Sequence, residues 1–454
     1  MIGRWRGRAK GQPPRPDDQS LPFGGRRVDL LILAILLALF CVRVWDLGVV
    51  TRDDALWTLY AWQNKWDVIW TWATQQGRVW ALVSGPLLFL ALKIKGVVVG
   101  NLAIVGSFAV FFALFYRIVA VHFGRRLAVL AACLNLGLYA MRWEGSLITA
   151  YPLFTWVLGS LYLGALLTLE RYLGTGKRSI LAVSVIFLFC SLFLHEGVTA
   201  LFVLLYPLAA LHHGRDRPRG GDLADRPIWC KASGDALLGW LIVVALYTIV
   251  YVGWRFAFPT NYAGNMLADF DVLRIARVVL AFALSGSIFH DMFATYTVRF
   301  SDAVLLNAAS IGYPFWQFVR HPRMYAGSFV AGSLSALLIW HALAQLRSPV
   351  YTKNARVQHA FAVIVGALIA FVPILPVAAT TKYQQWYYEF GIRAYVHTAL
   401  SHFGVSLVIA VALIWMTDSL RRRFAWLTMA VATSCIFAVL CGAGYAMNDA
   451  IAQD

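Results

Sequence analysis

The sequence specifies an all-α polytopic membrane protein of about eleven transmembrane helices, with interfacial helices in its outer loops. Three observations carry this reading. Hydrophobic residues make up 60% of the 454-residue chain and charged residues only 13%, too little charge to wet a soluble domain of this size on every side. The apolar residues gather in continuous runs of about twenty, the length that crosses a bilayer core as helix. Those runs do not alternate, which argues against strands.

The elements follow in chain order. Residues 1–27 are a basic tail containing Pro13-Pro14 and Gly24-Gly25. No small-residue cleavage site follows the next apolar run, so it is an uncleaved first span. Spans are expected near 28–48, 97–120, 126–142, 150–169, 179–195, 197–212, 235–257, 325–345, 358–380, 397–417 and 424–446. Between the first two spans lies the outer loop 49–96, in which one helix over 54–73 carries Trp57, Tyr60, Trp62, Trp66, Trp70 and Trp72. That aromatic density anchors a helix along a membrane interface. The chain thus divides into the tail, a core over 28–257, an outer segment over 258–324, and C-terminal helices over 325–454.

Charge sets the orientation. The net charge is +17, from 39 Lys+Arg against 22 Asp+Glu, and the basic residues sit in short clusters between apolar runs. With the N-terminus inside, the segments 1–27, 117–126, 170–178, 212–233, 346–356 and 421–423 fall inside and hold well over half of the 39, as the positive-inside rule requires. Two more apolar stretches, 79–95 and 273–289, would each reverse this pattern if they crossed alone. Both are therefore read as interfacial or re-entrant helices on the outer side, the first of them amphipathic. A thirteen-span arrangement in which both cross ranks second, because it exposes three basic clusters outside. Such charge is an orientation signal toward anionic lipid, and nucleic acid is not an expected partner.

Other classes are excluded by what is missing. Cys41, Cys133, Cys190, Cys230, Cys435 and Cys441 are scattered, and none pairs with histidines at metal-ligand spacing. There is no phosphate-cradling glycine loop and no Ser-His-Asp order. No soluble segment is long enough to fold a nucleotide-binding domain. Internal repeats, expected of a transporter built from inverted halves, are absent.

The candidate chemistry begins at Thr51-Arg52-Asp53-Asp54, just beyond the first span. Two readings stand here. The acids cap the helix that follows, or one carboxylate is a general base that takes the proton from an attacking hydroxyl while its neighbour holds the acceptor or a metal. Farther on, Thr381-Lys382-Tyr383-Gln384-Gln385-Trp386-Tyr387-Tyr388 is polar and aromatic, with Arg393 and Tyr395 just beyond. It has the character of a sugar or phosphate site, or of an interfacial anchor. His195-Glu196-Gly197 lies between two apolar runs, and ionisable pairs at membrane depth are functional candidates by default. Glu144 is a weaker one. His290-Asp291, Arg299, Asp302 and His321 read as solvated loop residues, and His212-His213 as a helix end.

The order of elements carries a family resemblance. An acidic pair after the first span is followed by an aromatic helix, Gly77-Arg78, an apolar helix, and a span ending in His122-Phe123-Gly124-Arg125-Arg126. Then come Arg142-Trp143-Glu144 and Tyr151-Pro152. This resembles the GT-C superfamily of glycosyltransferases, particularly its protein mannosyltransferase and aminoarabinose transferase branches. Those branches usually carry Asp-Glu where this chain has Asp53-Asp54. The resemblance implies an inverting sugar transfer from a polyprenyl-phosphate donor to a glycan, lipid or protein, on the periplasmic face of a bacterial inner membrane. It places the catalytic base at Asp53 or Asp54. It also calls for cations at the lipid phosphate that leaves, for which the outer-side candidates are Arg52, Arg78, Arg142, Lys382 and Arg393, with Tyr383 beside them. His195 would touch phosphate, and Glu196 would orient an acceptor or an arginine. A divalent metal, Mg or Mn, is an open cofactor. A lipid-linked glycan polymerase or ligase is the nearest alternative, supported by 258–324 but not by the early acids. A flippase is the other, disfavoured because the ionisable residues collect at one face.

Overall fold

The structure is a computed structural model describing residues 23–45, 52–140, 153–194, 196–215, 226–260, 262–264, 266–268, 271–287, 326–344, 353–389, 398–421 and 426–453. Every element among them is a helix, apart from two isolated bridges. In chain order they are α1 (Phe23–Trp45), α2 (Arg52–Trp62), α3 (Asp67–Gln75), α4 (Ala81–Ile94), α5 (Val98–Phe123), α6 (Arg125–Leu138), α7 (Phe154–Thr175), α8 (Arg178–Ser191), α9 (Glu196–Arg215), α10 (Arg226–Ala257) and α11 (Val272–Ser285). The C-terminal part holds α12 (Ala326–Ala344), α13 (Lys353–Phe371), α14 (Leu375–Ala378), α15 (Thr381–Tyr388), α16 (Thr398–Arg421) and α17 (Trp426–Gln453).

Each of the eleven expected spans falls on a helix, with 358–380 divided between α13 and α14. Length and composition single out four stretches that can cross a membrane: Val98–Phe123, Lys231–Ala257, Thr398–Ser419 and Leu427–Ala446. Five shorter apolar helices accompany them: Ala81–Ile94, Arg178–Ser191, Val198–His212, Gly327–Leu343 and Arg356–Phe371. Among the described residues the geometry therefore supports fewer full-length crossings than the sequence pattern. For the 14-residue α4, α6 and α8 the physical reason is length. The 14-residue α6 is about 21 Å long at 1.5 Å per residue, short of a core about 30 Å thick.

α6 is the centre of the bundle. Leu127 through Leu136 are buried without interruption, because α1, α5, α12, α16 and α17 enclose the helix. A helix apolar all round is what such a position selects. Small residues let its neighbours approach closely. A Cβ on Gly137 would collide with Cys441, and one on Gly404 with the backbone carbonyl of Gly366. These contacts join α6 to α17 and α13 to α16, the close-packed small-residue geometry of membrane helices. The outward surfaces are apolar as well. Leu241, Ile242 and Ile249 of α10, and Val98, Val99 and Leu102 of α5, are all more than half exposed. An aqueous surface would disfavour so continuous an apolar face.

Polar side chains mark the two ends. At the start of α6, Arg125 donates to the Asp29 carboxylate of α1 at 2.5 Å, and His341 Nδ1 of α12 lies 2.6 Å from its other oxygen. At the opposite end of α6, Asn448 Nδ2 of α17 donates to the Tyr139 carbonyl (2.8 Å), Ala140 N donates to Gly286 O (3.0 Å), and His402 Nε2 of α16 meets Asn135 O (3.0 Å). The starts of α1 and α6 and the end of α12 therefore share one end. The end of α17 and the start of α16 lie at the other. Tyr172 of α7 reaches Asp235 of α10 at 3.1 Å.

Two local expectations are corrected. The helix anticipated over 54–73 is two helices, because Asn64 adopts φ +56 between α2 and α3. Asn tolerates the left-handed region better than most residues. The 79–95 helix has no polar face: α4 buries Leu88, Phe89 and Leu92 while leaving Val83 and Leu90 exposed. α11 is the amphipathic one. It buries Ile275, Val278 and Phe282, exposes Arg274 and Arg277, and is capped by Asp271, which accepts from Leu273 N (2.9 Å) and Arg274 N (3.1 Å).

Candidate functional site

Three chain segments meet at the Tyr139 end: the segment from α2 to α4, the residues after α10, and the turn into α15. The first is locked by tryptophans. Trp57 packs on Trp72 (ring centroids 4.5 Å) and Phe89 (5.9 Å), and Trp72 in turn meets Trp80 (5.2 Å) and donates to Gln76 Oε1 (2.9 Å). This packing fixes α2 about one turn beyond the acidic pair. Asp53 and Asp54 thus occupy the first turn of a helix with an anchored body, where a carboxylate meets the positive end of the helix dipole.

Gly77 turns the loop back with φ +61, and a Cβ there would stand 2.8 Å from Thr260 Cγ2. The close approach lets Thr260 Oγ1 donate to Gln75 O (2.6 Å) and Trp254 Nε1 to Ala73 O (3.1 Å). The segment after α10 is bound to the third element through Thr381 N to Met266 O (2.9 Å), Ala268 N to Ala379 O (3.0 Å) and the Leu267–Thr380 bridge. Arg78 and Lys382, 304 positions apart in the chain, are thereby delivered to the same aromatic ring.

That ring is Tyr262. The Arg78 guanidinium carbon lies 4.8 Å from its centroid and 5.4 Å from that of Trp80. Lys382 Nζ is 5.1 Å from the same centroid and donates to the Tyr262 hydroxyl at 2.5 Å. Trp386 (4.5 Å) and Tyr383 (5.4 Å) complete the aromatic wall around the ammonium. Lys382 meets Tyr262 at its hydroxyl edge, while the other cation–aromatic contacts contribute about 0.5–2 kcal/mol each where the charge lies over the ring face, more as water is removed. Arg78 is 7% exposed and Tyr383 2%, so Arg78 and the Tyr383 ring sit in a largely dry setting. Two cations held by one phenol, with aromatic walls, can receive an anion and the flat face of a sugar beside it.

The structure thus brings together Arg78, Lys382 and Tyr383 from the expected set. Tyr383 forms a wall more than an exposed contact. Arg52, Asp53, Asp54 and Glu196 are placed only by backbone, in the first turns of α2 and α9, and their side chains lie outside the described residues. Arg142, Glu144, His195, Arg393, Tyr395, His290, Asp291, Arg299, Asp302 and His321 lie outside them too. Among the described residues no group of three His, Cys, Asp or Glu could hold a metal ion.

Sequence reasoning missed several residues. Tyr262 gave no signal, since its role depends on what folds onto it. Asp29 gave a readable one: a lone acid at the start of an apolar span, with a cost that demands a partner. His402 is similar, a single histidine in an apolar run, now fully buried against Tyr139 (centroids 5.5 Å) and Ser406 Oγ (3.3 Å).

No family model, no curated protein and no solved structure matches this chain.

Proposed function

We propose that the chain is a multi-pass membrane glycosyltransferase of GT-C type. It moves a sugar from a polyprenyl-phosphate donor to a hydroxyl of a glycan, lipid or protein, at the outer face of a bacterial inner membrane. The observation that carries this reading is the pairing of Arg78, from the segment that follows the acidic pair, with Lys382 on Tyr262. Eleven crossings, with the Arg125 end inside and the Tyr139 end outside, agree with the basic clusters of the sequence.

The chemistry requires little beyond these groups. Asp53 takes the acceptor's hydroxyl proton as its oxygen attacks the anomeric carbon of the donor sugar. The bond from that carbon to the phosphate oxygen breaks, and configuration inverts. The electron pair leaves with the polyprenyl phosphate, whose extra charge Arg78 and Lys382 stabilise. Asp54 orients the acceptor or holds a Mg or Mn ion. A nonpolar donor tail reaches such a site from the bilayer.

The test is reconstitution of the full chain in liposomes with a panel of polyprenyl-phosphate sugars and a lipid extract as acceptor source. Transfer should occur with at least one donor and fall to background in Asp53→Asn. Equal transfer by the parent and by an Asp53→Asn/Asp54→Asn double variant would overturn the assignment.

A further inference from the structure

The first outer loop carries Lys65, Lys93 and Lys95 on a face that the charge pattern otherwise keeps poor in lysine and arginine. The fold gathers Lys65 and Lys93 at one turn. The turn at Asn64 brings the junction of α2 and α3 onto the end of α4. There Lys93 Nζ donates to Asn64 Oδ1, Trp62 Nε1 donates to Leu92 O (3.5 Å), and Lys93 Nζ lies 5.6 Å from the Trp66 ring centroid. Lys65 Nζ lies 5.7 Å from the Tyr60 ring and its residue is exposed. Lys95 follows two residues after Lys93, where the chain turns into α5.

We propose that Lys65, Lys93 and Lys95, flanked by Trp62 and Trp66, form a docking site for the phosphate headgroup of an anionic phospholipid. Depth argues for a lipid. Beyond Lys95 and Gly96 come Val97, Val98 and Val99, 58%, 63% and 73% exposed, where the apolar stretch of α5 begins. A side chain at that junction stands at headgroup level, with acyl chains alongside the valines. Trp62 and Trp66 are 67% and 46% exposed, and indoles favour this boundary. A dissolved anion would account for the lysines but not for the exposed valines and indoles beside them. Charge agrees: among the described side chains from 55 to 95 the one acid is Asp67, exposed at the start of α3, against Lys65, Lys93 and Lys95. The site lies on α2, α3 and α4, apart from the Tyr262 cluster, and does not depend on any catalytic reading.

The full chain should be purified in mild detergent and titrated with phosphatidylglycerol or phosphatidylethanolamine. Bound lipids are then counted by native mass spectrometry. The parent should retain phosphatidylglycerol in preference to phosphatidylethanolamine. Each lysine near an anionic surface contributes about fivefold to affinity, so Lys65→Gln should weaken phosphatidylglycerol retention about fivefold and the Lys65→Gln/Lys93→Gln/Lys95→Gln variant far more. Lys65→Gln removes no hydrogen bond of the fold, so it separates lipid binding from misfolding if the triple variant is unstable. Equal retention of the two lipids by the parent, or undiminished phosphatidylglycerol retention in Lys65→Gln, would overturn the proposal. Retention of polyprenyl phosphate but not phosphatidylglycerol would overturn it as well.

Discussion

Asp29→Asn removes a negative charge from between two bases while preserving side-chain volume. In the parent, Arg125 Nη2 and His341 Nδ1 lie 2.5 and 2.6 Å from the two oxygens of a carboxylate that is only 7% exposed. Breaking a buried ion pair by removing one partner costs about 3–5 kcal/mol, because the remaining charge stays without compensation. The side chains of Arg125 and His341 are 24% and 36% exposed, so water recovers part of that cost. The expected loss is about 2–3 kcal/mol, read as a fall of roughly 2–3 °C in apparent melting temperature for a chain of 454 residues. Tryptophan fluorescence of the purified full chain in detergent reports it. The pair also predicts non-additivity: Asp29→Asn combined with Arg125→Gln should be less destabilising than the two single losses together, by about 1 kcal/mol or more. A single variant melting within about 1 °C of the parent, or strict additivity in the cycle, would refute the inference that this ion pair ties α1 to α6.

Further outcomes follow from the same structure. Asp53→Asn should lower transfer about 10²–10⁴-fold with normal membrane insertion, whereas pure capping predicts little change, since Asn caps about as well as Asp; donor turnover by the purified variants decides. Lys382→Ala and Arg78→Ala should raise the KM for the lipid-phosphate sugar by about ten- to a hundredfold, from charge-assisted bonds of about 1.5–3 kcal/mol. Tyr262→Phe should do the same more weakly, because the ring stays while the hydroxyl that holds Lys382 is lost. Gly404→Leu should abolish stable expression, since even a Cβ meets the Gly366 carbonyl; detergent gel filtration would show normal monodisperse protein if that contact is unimportant. Single cysteines at positions 53, 195 and 382 should react with impermeant reagents from one side of the membrane, and those at 125, 177 and 422 from the other.

The sequence pattern located nearly every helix, because runs of about twenty apolar residues leave few alternatives to helix in or beside a bilayer. It did not reveal which helices are surrounded by protein. α5 and α6 both read as spans, yet α5 exposes Val98, Val99 and Leu102 while α6 buries almost everything. Hydropathy is blind to that difference, since lipid and a neighbouring helix reward the same side chains. The break at Asn64 was hidden for a related reason: the tryptophan spacing on either side suited a single helix, and nothing nearby was a glycine or proline. Of the site, Arg78, Lys382 and Tyr383 were legible from their residue types and positions. Tyr262 was not, because its significance comes from the Thr260–Gln75 and Thr381–Met266 contacts that bring distant loops onto it.

The enclosure of α6 bears on how the chain is made. Its partners α12, α16 and α17 are translated about two to three hundred residues after it. Until they emerge, a 14-residue segment that opens with Arg125-Arg126 has only α1 and α5 for company. It is too short to hold a place across the bilayer by itself. Ribosomes stalled before α12 should therefore leave α6 accessible to aqueous probes, and its final seat should form only once the C-terminal third closes around it. A truncation that removes α16 and α17 would then unseat the middle of the molecule and not merely shorten its end.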